Sequence, residues 1–117
     1  MTQTVAVILA ASILLGIVGQ LFLKAGVSSF GTVAFNASLL RLLLSPKVLA
    51  GIAAYVVSSL LWLYVLSRMP LSIAYPTLAV GYILIEILSF FLFQEPLTAH
   101  KVAGAVVIAL GIWLLYR

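Results

Sequence analysis

The chain contains no cysteine and a single histidine, His100. The first absence excludes disulfides, thiolate metal sites and catalytic thiols, and one histidine cannot assemble a metal cluster alone. Acid is nearly as scarce: Glu86 and Glu95 are the two carboxylates, against six lysines and arginines. Paired nucleophile and base residues, glycine-rich phosphate loops and metal-ligand spacings are missing as well, so enzymatic chemistry is not expected and no cofactor is implied. Strand-like alternation, low-complexity stretches and a soluble domain are also absent. What remains is apolar. Hydrophobic residues make up 66% of the chain and charged ones 7%, more apolar surface than a soluble domain of 117 residues can hide, and composition therefore points to the bilayer. In that setting the net charge of +4 suits lipid phosphates and the orientation rule for insertion, and nucleic acid is not the expected partner.

Four apolar spans are expected, at about 5–23, 48–66, 71–93 and 99–116, each near the roughly 20 residues that cross a hydrocarbon core of about 30 Å. In lipid each has to be helical, because unpaired backbone groups find no water there. The predicted fold class is thus an all-α integral membrane protein with one four-helix transmembrane domain over residues 1–117. "MTQTVAVILAASILL" has no basic leading region and its apolar run outlasts a signal segment, so it reads as a retained first span. "SRMP" and "QEPLT" separate the later spans by short turns, while the first connection is longer, from Lys24 to Lys47. Within it, "NASLLRLLLSP" is too short to span. It reads as a short interfacial helix capped by Asn36 or Ser38 and anchored by Arg41. Lys24, Arg41, Lys47 and Lys101 on one side against Arg68 and Arg117 on the other give a weak bias toward termini outside the cytoplasm.

Glu86 lies near the middle of the third span, in "YILIEILSF". An ionisable group at that depth costs about 2.5–3.5 kcal/mol on insertion scales, so it is expected to face protein or a wet cavity. It is expected to serve either as a cation, proton or headgroup site or as a protonated acid bonded to a neighbouring helix or a dimer mate. Gln20 and Lys24 are four residues apart on one helical face, which Ser12, Gly16 and Gly19 extend. That small and polar stripe suits either close approach of a second helix or a groove for a polar ligand. Lys24 also suits simple anchoring at the interface. Tyr75 precedes Pro76, whose missing N–H frees a carbonyl and bends the helix beside the tyrosine hydroxyl. Glu95 reads as a loop acid or helix cap. Gly104 and Gly111, a heptad apart with Ala105 and Ala109 beside them, form a face for helix packing or dimer contact.

"GQLFLKAG", "LWLYVLSRMPLSIAYP" and "FQEPLTAHKVAGAVVIALGIWLL", with the four-span spacing, resemble the drug/metabolite transporter superfamily. The likeness is to its smallest members, single four-helix halves of the EamA-type carriers. The small multidrug resistance exporters share parts of "GIVGQLFLK" and "IAYP", but their proton-coupling glutamate would fall at Gly16, and of their span-three glycine–valine–glycine kink only Gly81 remains. The chain is more similar to the Arn-type small subunits, flippases for aminoarabinose linked to undecaprenyl phosphate, and this likeness runs over most of its length. Glu86 departs from the aminoarabinose type, which leaves the carried sugar open.

The resemblance implies an inner-membrane, multi-pass flippase of a polyprenyl-phosphate-linked sugar, working as a homodimer or as a heterodimer with a similar small subunit. It also explains a basic, acid-free first span: an anionic headgroup would be gathered by Lys24, Arg41 and Lys47 and admitted past Gly16 and Gln20, where a carboxylate would repel it. Tyr75 and Glu86 complete the expected substrate-binding set. Two other readings stay open: an exporter of cationic or small metabolite substrates coupled through Glu86, and a non-transporting subunit of a larger membrane complex.

Overall fold

A computed structural model describes residues 2–117. Six helices follow in order: α1 (Gln3–Phe30), α2 (Ala37–Leu43), α3 (Pro46–Leu66), α4 (Leu71–Thr77), α5 (Ala79–Leu92) and α6 (Ala99–Leu115), with no strand among the described residues. Gln3–Phe30, Pro46–Leu66 and the α4–α5 stretch Leu71–Leu92 are long and apolar enough to cross a membrane, and Ala99–Leu115 is a shorter apolar helix. At about 1.5 Å per residue α1 reaches about 42 Å and α6 about 25 Å, against a hydrocarbon core of about 30 Å. The chain divides into two compact units, Thr2–Tyr64 and Val65–Arg117, with the boundary in the last turn of α3.

In the N-terminal unit, the Thr2 hydroxyl caps α1 by accepting from the Val5 N–H at 3.3 Å. The helix ends at Gly31, whose φ of 73° is open to glycine, and whose N–H donates to the Val27 carbonyl at 3.1 Å. This corrects the expected end near residue 23. The apolar run stops at Lys24, but the backbone ladder continues for six more residues, because loss of hydrophobicity marks the edge of the hydrocarbon and not the end of the hydrogen bonds. Lys24 is therefore inside α1, and Lys47 is in the first turn of α3, so the three bases do not share one connection. Between them Asn36, and not Ser38, caps the expected short helix, its side-chain oxygen accepting from the Ser38 N–H at 2.9 Å.

In the C-terminal unit the chain turns after α3 through the Arg68 and Met69 N–H groups, both donating to the Val65 carbonyl at 2.9 and 3.0 Å. Pro70 then opens α4 in an extended conformation. The expected third span over 71–93 is not one uninterrupted helix. Pro76 has no N–H to give, and past it the ladder tightens: Leu78 donates to Tyr75 at 3.0 Å and Gly81 to Leu78 at 2.9 Å. The α-helix resumes at Ala79. The Thr77 hydroxyl donates to the Ile73 carbonyl at 2.7 Å, so its oxygen receives the Tyr116 hydroxyl. The end of α6 is thereby tied to the break. Gln94 turns the chain after α5 with a φ of 55°, and Thr98 caps α6 by accepting from the Lys101 N–H at 3.2 Å.

Candidate functional site

The stripe on α1 lies against α3, and the two helices run antiparallel. Ser12 and Ser58, both buried, hold each other reciprocally: the Ser12 hydroxyl donates to the Ser58 carbonyl at 3.0 Å and the Ser58 hydroxyl to the Ser12 carbonyl at 2.8 Å. A Cβ added at Gly16 would stand 3.4 Å from the Ser58 hydroxyl oxygen, and one at Gly19 would stand 3.0 Å from the Gly51 carbonyl. At Gly26 it would meet Val48 at 2.6 Å. Gly16 is thus placed on a helix–helix seam. Gln20 sits on the same seam, where its amide nitrogen donates to the Tyr55 hydroxyl. That tyrosine had no distinguishing signal in the sequence beyond its place in an apolar run.

The basic residues gather at one end of this unit. The Lys47 Cβ lies 3.4 Å from where a Gly26 Cβ would be, so Lys47 stands level with the α1 turn just after Lys24. Arg41 occupies the last turn of α2, and α2 packs on α1. All three side chains are exposed. Lys47 is in the first turn of α3, which contains no acid. The free N–H groups there carry partial positive charge that adds to the lysine.

In the C-terminal unit, Glu86 faces a groove between α5 and α6, a cavity of about 440 Å³. It is lined by Tyr82, Ile85, Glu86 and Ser89 from α5, Glu95 and Pro96 from the loop, and Lys101, Gly104, Ala105 and Ile108 from α6. Glu86 Oε1 is enclosed and has no hydrogen-bond partner among the described residues. Leaving an acceptor buried without a donor costs about 1–3 kcal/mol, and more for a charged group. Lys101 in the same lining gives one of its N–H groups to the Pro96 carbonyl at 2.7 Å and leaves Oε1 unsatisfied. Tyr75 stands apart from this lining and is largely exposed on α4. Sequence reasoning passed over Tyr82 and Ser89, and read Glu95 as a loop acid or helix cap and Lys101 as an orientation charge. The signal was present: residues 82, 86 and 89, and again 101, 105 and 108, are spaced as one helical face.

Gly104 and Gly111 were expected on a packing face. A Cβ at either meets nothing within 4 Å, so within one chain neither is a point of close helix approach among the described residues. The physical reason is that α6 keeps no residue buried. Gly111→Ala is therefore expected to leave the isolated chain intact, or to raise its thermal midpoint in detergent through a helix-propensity gain of up to about 1 kcal/mol. Loss of the dimer on crosslinking, with the monomer unharmed, would assign the glycine to contact with another chain.

Relatives account for nearly the whole length. The chain is 36% identical over 117 aligned residues to the probable 4-amino-4-deoxy-L-arabinose-phosphoundecaprenol flippase subunit ArnF of Photorhabdus laumondii subsp. laumondii, covering 91% of each chain. It is 36% identical over 113 residues to the protein of the same name from Serratia proteamaculans, covering 91% of this chain and 87% of that one. The chain belongs to the ArnF family of small flippase subunits. The Arn-type likeness read from the sequence is borne out. The related subunit ArnE of Aeromonas salmonicida is 41% identical over 73 residues, 62% of this chain and 64% of that one. No family profile matches the chain, and no solved structure matches it. With its family and its three membrane-length apolar helices, the chain is a multi-pass membrane protein.

Proposed function

We propose that the chain is a flippase subunit that moves a polyprenyl-phosphate-linked sugar between the leaflets of the inner membrane. The observation that carries this reading is the 36% identity with a flippase subunit over 91% of both chains, in a chain of apolar helices. In this reading α6, at 17 residues, is the fourth span, near the lower limit of what crosses a bilayer, and the four spans form one transmembrane domain. The work is displacement of a lipid, with no bond made or broken, so the protein acts as a transporter and not as an enzyme.

Lys24, Arg41 and Lys47 receive the phosphate. They are exposed at one end of the α1–α3 pair, and the open N-terminus of α3 adds its own positive potential for an anion. Gly16 and Gln20 in the N-terminal unit, and separately Tyr75 and Glu86 in the C-terminal unit, serve the headgroup. Gly16 does so by keeping α1 and α3 close, since its own face meets Ser58. One copy makes too thin a bundle for a transport path, so a second small subunit completes it, either a second copy or a chain of the ArnE kind. Gly111, open within one chain, suits that contact, whereas Gly104 lines the groove beside Glu86.

The test is reconstitution of the chain, alone and with such a partner, into liposomes carrying undecaprenyl phosphate esterified to 4-amino-4-deoxy-L-arabinose. Exposure of the amine in the outer leaflet is followed with an impermeant amine reagent. Faster transbilayer equilibration than in protein-free vesicles is the expected result. An unchanged rate in both preparations would overturn the reading.

A further inference from the structure

The groove between α5 and α6 brings together the only two acids of the chain, Glu86 and Glu95, and the flippase reading above uses neither for the phosphate. We propose that this groove binds a protonated amine on the carried headgroup, with Glu86 as its counter-ion and Glu95, Ser89 and Tyr82 around the remainder of the ring.

Three observations converge. Glu86 Oε1 is enclosed by protein and has no donor, and buried acceptors are almost always satisfied by protein, water or ligand. On its other flank Glu86 borders a second groove, of about 250 Å³, in which every other lining residue is apolar. Of the two, the first groove has the polar lining, with Tyr82, Ser89, Glu95 and Lys101. That groove, at about 440 Å³, is within the range of small-molecule sites. The lining then selects the chemistry of the donor. Two carboxylates lining one groove would repel a phosphate. A neutral hydroxyl brings one proton to acceptors that have room for several. An ammonium brings three donors and a full positive charge, and charge-assisted hydrogen bonds are about twice as strong as neutral ones. The cation already present does not take the role: with the Lys101 Nζ on the Pro96 carbonyl, Glu86 Oε1 still has no donor among the described residues. The hydroxyls of Tyr82 and Ser89 lie on the same face of α5 as Glu86, one turn to either side, where they can meet sugar hydroxyls.

The inference rests on the flippase reading and is tested so that the two can fail separately. The full-length chain in lipid nanodiscs is titrated with two lipids that differ at one position: undecaprenyl phosphate carrying 4-amino-4-deoxy-L-arabinose, and the same lipid carrying L-arabinose. The wild type is expected to prefer the amine by about tenfold to a hundredfold, the scale of one charge-assisted bond. Glu86→Gln, which keeps size and hydrogen bonding but not charge, should bind both lipids at the level of the neutral one. Glu86→Asp should restore part of the preference. Full preference in Glu86→Gln, or equal affinity of the wild type for the two lipids, would overturn the amine site while leaving the flippase reading standing. The second of these outcomes needs no variant to fold. Binding of neither lipid by the wild type, both alone and with an ArnE-kind partner in the same nanodisc, would overturn both.

Discussion

Gly51→Leu is expected to abolish the folded N-terminal unit. A Cβ at this position would lie 2.8 Å from the Gly19 carbonyl oxygen and 3.0 Å from Leu23 Cγ. The first of these neighbours is backbone and cannot rotate away, so α1 and α3 would have to separate. Overpacking of a close contact usually costs about 1–3 kcal/mol, and a whole leucine side chain against backbone belongs at or above the top of that range. Separation would also break the reciprocal Ser12–Ser58 bonds, which in lipid have no water to replace them. The expected observation is little or no monodisperse protein after extraction. Gly16→Leu should do less harm, because its nearest neighbour is a side-chain oxygen at 3.4 Å, which can turn aside. Equal yields and thermal midpoints for Gly51→Leu and the parent would show that the α1–α3 seam does not hold this unit together.

Replacing the basic residues is expected to have the largest effect on cargo with the least effect on folding, since Lys24, Arg41 and Lys47 are all exposed. Near the membrane surface each adds about 1 kcal/mol of attraction to anionic lipid at moderate salt, so Arg41→Ala with Lys47→Ala should weaken capture by roughly tenfold or more. Arg41→Lys separates recognition from charge. Arginine grips a phosphate through two parallel hydrogen bonds and lysine offers a point charge, so a phosphate contact is sensitive to this exchange while a topology signal is not. Lys24→Ala should give a smaller loss. The measurement is transbilayer movement of the lipid-linked sugar, with insertion checked by tagged termini. If Arg41→Lys and Lys24→Ala insert correctly and move lipid like the parent, the bases serve only to orient the chain.

The membrane character, the helical class, the short helix capped near Asn36 and the Arn-type likeness were all legible in the residues. They depend on local properties: apolar run length, a side chain that can accept from the next N–H groups, and motif order along the chain. A disturbance of the helix at Pro76 was legible for the same reason, since a missing N–H is a property of one residue, and the structure shows it as the break between α4 and α5. The end of α1 was not. Hydropathy reports where lipid stops, and a helix held by its own backbone bonds runs on to Gly31. Nor could the sequence choose between the two uses of the small stripe on α1. Ser12, Gly16 and Gly19 fit a ligand groove as well as a helix seam, and only the presence of Gly51 and Ser58 opposite them decided for packing. The reverse holds for Gly104, which has the composition of a packing residue but lines an open groove. Glu86 was visible as a costly residue at membrane depth. Its surroundings were not, because Glu95 and Lys101 come to it across the turn between α5 and α6. What a side chain faces is set by how helices pair, and pairing depends on residues far apart in the chain whose complementarity no single stretch of sequence expresses.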